Sequence, residues 1–222
     1  MMINITWDII NIIAIVAYAF TGAIVALQEK YDIFGVYILG LAAAFGGGIM
    51  RNVLVGVPVK PFWEQGFLYT AALIAITIIY LMPKDWIKSW NKWNDFFDAI
   101  GLAAFTIQGS IFALQLNLPI SGVVLCAVLT GVGGGVVRDV LARRKPMVFH
   151  QEVYALWGVI VGVVIFYQWV DIHNTIHLFT LMVLVTILRM ISLRYKWHVN
   201  FRSLEDNLRI HFFPKFRKEK DA

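Results

Sequence analysis

Seven apolar stretches divide the chain, at residues 7–27, 34–54, 66–82, 96–116, 121–141, 153–170 and 176–193, with polar or turn-forming residues between them. Most come close to the ~20 residues that a helix needs to cross a hydrocarbon core, and the third and sixth are shorter. The connections are short, Gln28 to Ile33 for the first and Asn117-Leu118-Pro119 for the fourth. The pattern therefore predicts an all-α integral membrane protein, with seven transmembrane helices packed as antiparallel neighbours.

The chain repeats itself. Gly46 and Gly133, Arg51 and Arg138, Gly22 and Gly109, Gly35 and Gly122, Tyr18 and Phe105, and Asn11 and Asp98 are each 87 positions apart. No gap is needed between residues 11–54 and 98–141; afterwards the register slips, with Pro58 answering Pro146. An internal repeat fixes the architecture before any single residue does. Residues 7–82 form a first three-helix repeat and 96–170 a second. Three crossings per repeat is an odd number, so the second must be inverted relative to the first, the plan on which many transporters place a pathway between the halves. The seventh helix, 176–193, has no repeat mate and reads as a packing or assembly helix. Residues 194–222 form a basic tail.

Composition sharpens the membrane assignment. Of 222 residues, 59% are hydrophobic and 15% charged, against about 25% charged in a soluble domain, and the mean hydropathy is +0.72. The first apolar run lacks a basic leader and is as long as a span, so no cleavable signal is expected. The net charge of +5 is concentrated in Arg189, Arg194, Lys196, Arg202, Arg209, Lys215, Arg217, Lys218 and Lys220. Beside a span, such a tail marks the cytoplasmic side rather than a nucleic-acid site. Lys84, Lys88 and Lys92, then Arg143, Arg144 and Lys145, fall on the same side. The expected placement is a bacterial inner membrane with the N-terminus outside and the C-terminus cytoplasmic. Cys126 stands alone in apolar sequence as a small core residue. The five histidines show no metal-ligand spacing. Neither a nucleophile–base pair nor a phosphate loop is present, so neither an enzyme nor a cofactor is expected.

Candidate chemistry lies in two glycine triplets and the arginines after them. Gly46, Gly47 and Gly48 precede Arg51 and Asn52; Gly133, Gly134 and Gly135 precede Arg138 and Asp139. Each glycine costs a helix about 1 kcal/mol relative to alanine. At 1.5 Å per residue the triplets lie roughly 18 Å into their spans, just past the middle of a ~30 Å core, with the arginines toward opposite mouths. The glycines could kink a helix beside a pathway or let helices pack closely. Gly158 and Gly162, at i and i+4, read as packing, as do Gly22 and Gly109. Arg51 could snorkel to headgroups or serve the pathway, whereas Arg138 beside Asp139 reads as an internally paired site. Asp98 either caps a helix or joins that site. Thr21, Ser110 and Thr130 are expected to bond their own helix backbone.

The doubled pattern Asp-x-x-Gly-x-x-x-Phe … Gly-Gly-Gly-x-x-Arg-Asp … Pro resembles the bacterial relatives of the trimeric intracellular cation (TRIC) channels, a group that includes proteins described as glycine transporters. It is carried by Asp98, Gly101, Phe105, Gly109, Gly133–Gly135, Arg138-Asp139 and Pro146 in the second half. Gly22, Gly35, Gly46–Gly48, Arg51, Gly56 and Pro58 carry it in the first. The resemblance implies a homotrimer in membrane lipid with one pore per subunit, lined by spans one, two, four and five and kinked at the triplets. Potassium or sodium ions would be the permeant species, potassium foremost, with Arg51, Asn52, Arg138, Asp139 and Asp98 as the pore charges. This chain departs from the pattern at Asn11 and Asn52, where the first half would carry aspartates. A carrier for glycine or another small zwitterionic amino acid is the alternative. A scaffold that recruits partners through its tail is disfavoured by the doubled arginines inside the membrane.

Overall fold

The computed structural model of the protein describes residues 2–59, 62–83, 91–149, 153–195 and 197. Lys60, Lys84, Lys88, His150, Lys196 and the basic tail beyond Trp197 lie outside the described residues. Seven α-helices stand among those described: α1 Met2–Gln28, α2 Ile33–Val55, α3 Gly66–Leu81, α4 Asn91–Gln115, α5 Ile120–Leu141, α6 Tyr154–Phe166 and α7 Thr175–Arg194. Five are long and apolar enough to cross a membrane, while α3 and α6 are shorter apolar helices of 16 and 13 residues.

Local chemistry sets the ends. Asp32 accepts a hydrogen bond from the amide of Gly35 at 2.8 Å and opens α2, satisfying one of the donors that a helix start leaves unpaired. Gly56, at φ 75°, closes it in the left-handed region, where a residue without Cβ turns at least cost. Asn174 caps α7 by accepting from the amide of Ile176. Two boundaries differ from the hydropathy pattern. The sixth helix stops at Phe166, because the chain turns through Gln168 at φ 54° although Trp169 and Val170 are apolar. The fourth begins at Asn91 rather than 96, adding a polar first turn that hydropathy does not register.

Helices α1, α2, α4 and α5 form the centre. Helix α1 packs on α2, α3 and α4; α4 packs on α5, α6, α7 and α1; α2 crosses α5. Exchanging the halves maps this set of neighbours onto itself, apart from α7. Large apolar side chains cover the outside, among them Phe34, Ile38, Leu54, Phe67, Ile74 and Leu184, as a bundle facing hydrocarbon requires.

The repeat is visible atom by atom at the glycines. A Cβ on Gly47 would strike the carbonyl oxygen of Thr130, and one on Gly134 would strike that of Ala43. Thr130 and Ala43 are themselves 87 positions apart. Likewise, a Cβ on Gly22 would sit 2.7 Å from the Leu39 carbonyl oxygen, and one on Gly109 would strike that of Cys126, the mate of Leu39. Reciprocal contacts of this kind are what a two-fold axis generates. Both α2 and α5 run as uninterrupted helix through their triplets, so close approach is the visible use of Gly47, Gly133 and Gly134. Gly158 and Gly162 are used inside the subunit, against Val128 and Val124 of α5 at 3.0–3.2 Å.

A paired experiment follows from this geometry. Gly47→Ala and Gly134→Ala place a methyl group into backbone and lower stability by ~1–3 kcal/mol, the usual cost of overpacking. Gly48 has nothing within 4 Å of its would-be Cβ, so Gly48→Ala raises stability by up to about 1 kcal/mol through helix propensity. Thermal melting of the three variants in one detergent checks the ordering.

Candidate functional site

In the second half, the five residues after Gly133 carry the chain to Arg138, on the inward face of α5 and 0% exposed. Its Nε donates to Asp139 Oδ1 at 2.8 Å and its Nη1 to Asp98 Oδ1 at 3.0 Å. A buried guanidinium facing two buried carboxylates is the arrangement in which such charges can leave water. Asp98 lies seven residues inside α4, so it pairs rather than caps. Asp139 also accepts the amide of Met147 at 3.2 Å, which holds the short 3-10 turn Met147–Phe149 over this end of the bundle.

Three side chains that the sequence did not single out as site residues complete the cluster. Tyr154 opens α6, and its hydroxyl lies 3.3 Å from that of Tyr18. Tyr18 in turn donates to the carbonyl of Gly131, shortly before the triplet, with its ring against Phe105. The guanidinium of Arg189 sits 4.5 Å over the Tyr154 ring. Counted from sequence with the basic tail, Arg189 is instead 2% exposed within α7. The seventh helix thus adds a buried cation to the site besides packing on α4. The signal that could have found it is its position inside an apolar span, which a count of basic residues passes over.

The first half answers differently. Arg51 is 8% exposed and folds inward, its guanidinium 3.8 Å over the ring of Phe112. Its Nε and Nη2 both donate to Asn52 Oδ1, at 3.0 and 2.8 Å. Its Nη1 is buried without a hydrogen-bond partner among the described residues. Asn52 reaches the carbonyl of Pro58 through Nδ2 at 3.4 Å, much as Asp139 holds Met147. Here the bundle is hollow, with a cavity of about 730 Å³ walled by Asp8, Asn11, Gly48, Arg51, Asn52, Glu64 and Gln108 among others. One end of the molecule is therefore an open vestibule, and the other is filled by the Arg138 cluster.

The candidate residues distribute accordingly. Arg138, Asp139 and Asp98 come together, with Gly135 beside them, its would-be Cβ 3.3 Å from the Tyr154 hydroxyl. Arg51 and Asn52 form the opposite group. Gly48 walls the vestibule, Gly46 faces Val137, and Gly47, Gly133 and Gly134 lie at the crossing. Thr21, Ser110 and Thr130 bond carbonyls of their own helices at 3.0, 2.7 and 2.6 Å, as expected.

Fold and site define a class: an α-helical membrane protein built from inverted repeats, with a polar vestibule at one end of the bundle. The family model described as Glycine transporter matches residues 8–84 and again 95–170, one match per repeat, and the chain belongs to that family. The membrane protein YvgT of Bacillus subtilis is 48% identical over 89% of this chain and 96% of its own length. The inner membrane protein YadS of Escherichia coli is 35% identical over 70% of this chain and 75% of its own. Among solved structures, a prokaryotic TRIC channel in 0.5 M KCl superposes with a TM-score of 0.74 at 29% identity, covering 88% of this chain and 100% of that one. Another, from work on conductance through TRIC cation channels, gives 0.74 at 33% identity over 86% and 94%. The family is not one of enzymes.

The two arginines should differ energetically. Arg138→Ala removes the guanidinium that both buried carboxylates pair with, a loss of ~3–5 kcal/mol. Arg51→Ala removes a cation held by a neutral amide and a ring, and costs about 1–2 kcal/mol. Denaturant or thermal unfolding of both variants reads the difference directly; equal losses would contradict the asymmetry.

Proposed function

We propose that the protein is a channel for monovalent cations, potassium foremost, with one pathway per subunit along α1, α2, α4 and α5. The observation that carries this reading is the vestibule, which descends beside Gly48 toward the α2–α5 crossing in a fold shared over nearly its whole length with TRIC cation channels. Asp8 and Glu64 at its mouth would concentrate cations by focusing the local field. Beyond the crossing, the Arg138 cluster and Tyr18 stand across the path and must move for an ion to pass. The resemblance implies a homotrimer in a bacterial inner membrane. The lysine and arginine distribution supports a cytoplasmic C-terminus, which puts the vestibule on the outer face.

A second reading has its own support. The vestibule holds one cation and two carboxylates, which suits a zwitterion, and the matching family model is described as Glycine transporter. Planar-bilayer recording alongside uptake of labelled glycine into proteoliposomes decides between them. Unitary potassium currents without saturable glycine uptake are expected, and the reverse result would establish the carrier. Gly48→Leu should lower the unitary current severalfold by filling the vestibule while leaving the melting temperature close to that of the parent, since the space there is open.

A further inference from the structure

The vestibule contains a charge that the protein itself does not neutralise. Arg138, whose Nη2 is likewise buried without a hydrogen-bond partner among the described residues, is met by two carboxylates, Asp98 and Asp139. Their mates 87 positions earlier are Asn11 and Asn52. Each exchange replaces a charge with an amide of the same shape: Asn52 keeps the hydrogen bonds that Asp139 makes, Asn11 makes none to Arg51, and the compensating charge is lost at both. Nε and Nη2 still have Asn52 Oδ1, one face lies on Phe112, and Nη1 has no partner among the described residues. Asp8 and Glu64 wall the same cavity, yet both are exposed and neither forms an ion pair with Arg51. A guanidinium that is 8% exposed, with an unused donor and a neutral acceptor, is costly unless a counter-charge accompanies it. The 730 Å³ vestibule that Arg51 walls is where such a counter-charge can enter.

We propose that the vestibule holds a binding site for a small monovalent anion, a halide or a short carboxylate, at Arg51. The anion takes the place of the carboxylate that Asp98 supplies to Nη1 of Arg138 in the other half. It pairs with the Arg51 guanidinium by charge-assisted hydrogen bonding, for which the buried Nη1 turns toward the cavity that Arg51 lines, and the Asn11 and Asn52 amides lie in the same wall as further neutral donors. No bond is made or broken. The site also resolves a difficulty for the cation path: an uncompensated arginine at the mouth repels cations, whereas an arginine with its anion does not. The inference concerns binding and stands whichever solute crosses the protein.

The test uses the full-length protein in detergent at constant potassium, with bromide or acetate replacing gluconate, or glycine added to the gluconate salt. Bromide and acetate each raise the melting temperature in a saturable way, as a ligand that binds the native state must. In Asn52→Asp, which restores the carboxylate of the other half, the half-saturating bromide concentration rises roughly tenfold or more, because the guanidinium charge is then matched internally. Crystals of the unmodified protein grown in bromide show an anomalous peak beside Arg51 and none beside Arg138. The proposal is overturned if melting does not respond to bromide and acetate, or if Asn52→Asp responds as the parent does. It is equally overturned if the anomalous peak is absent at Arg51 or equal at both arginines. Stabilisation by glycine alone would overturn it too, in favour of a zwitterion site.

Discussion

Two helices can cross backbone against backbone only where neither carries a Cβ at the contact, and the crossing of α2 and α5 meets that condition from both sides. Gly47 leaves room for the Thr130 carbonyl and Gly134 for that of Ala43. Because these four residues are two pairs of repeat mates, one contact geometry is used twice, and the halves are fixed by their own pseudo-symmetry. Small residues are the main means by which membrane helices gain such proximity, since lipid offers no hydrophobic drive to association. Everything functional is then placed by helix periodicity. Arg51 and Arg138 come four residues after Gly47 and Gly134, on the same helix faces, so the closeness of the crossing aims both arginines inward toward opposite ends.

From that symmetric frame the electrostatics diverge. At one end, Arg138 with Asp98 and Asp139 is an ionic group that can exist without water, and the surrounding space is filled by Tyr18, Tyr154 and Arg189. At the other end the corresponding positions are amides, and the bundle is hollow around Arg51. The contributions of α6 and α7 are not symmetric either. Helix α7 has no mate in the first half and delivers Arg189 to the filled end only. The difference between the two ends thus has two sources, a pair of acid-to-amide exchanges and one extra helix.

Much of this was legible in the sequence. The repeat offset of 87 by itself pairs Gly47 with Gly134, and the brevity of the third and sixth spans anticipates α3 and α6. The pairing of Arg138 with Asp139 follows from adjacency inside an apolar span. Other features were hidden for physical reasons. Glycine serves both a kink and a close contact, so the triplets alone do not separate these uses, and the carbonyl opposite Gly47 comes into view only in three dimensions. Arg189 sits near the end of an apolar span and blends with the basic residues after it. Asp98 looks like a cap because the first turn of α4 is too polar to read as membrane. Tyr18 reads as an aromatic mate of Phe105, and nothing local says that its hydroxyl reaches α5.

An arginine inside a bundle must either be neutralised by the protein or leave its charge available. This protein does one at each end, using the same helix position in each repeat. Substitution of a carboxylate by its amide keeps shape and removes charge, so it can alter the field of a pathway with little effect on packing. Inverted repeats make such a change consequential: the same exchange in one half acts at only one mouth. On the proposed readings, a cation meets an open vestibule whose arginine is matched by a bound anion first, and a closed, internally balanced cluster second. The first determines which ions approach, through the field at Arg51. The second determines when they pass, through a set of contacts among α1, α4, α5, α6 and α7 that must be released together, because each buried partner left behind would carry an unmatched charge.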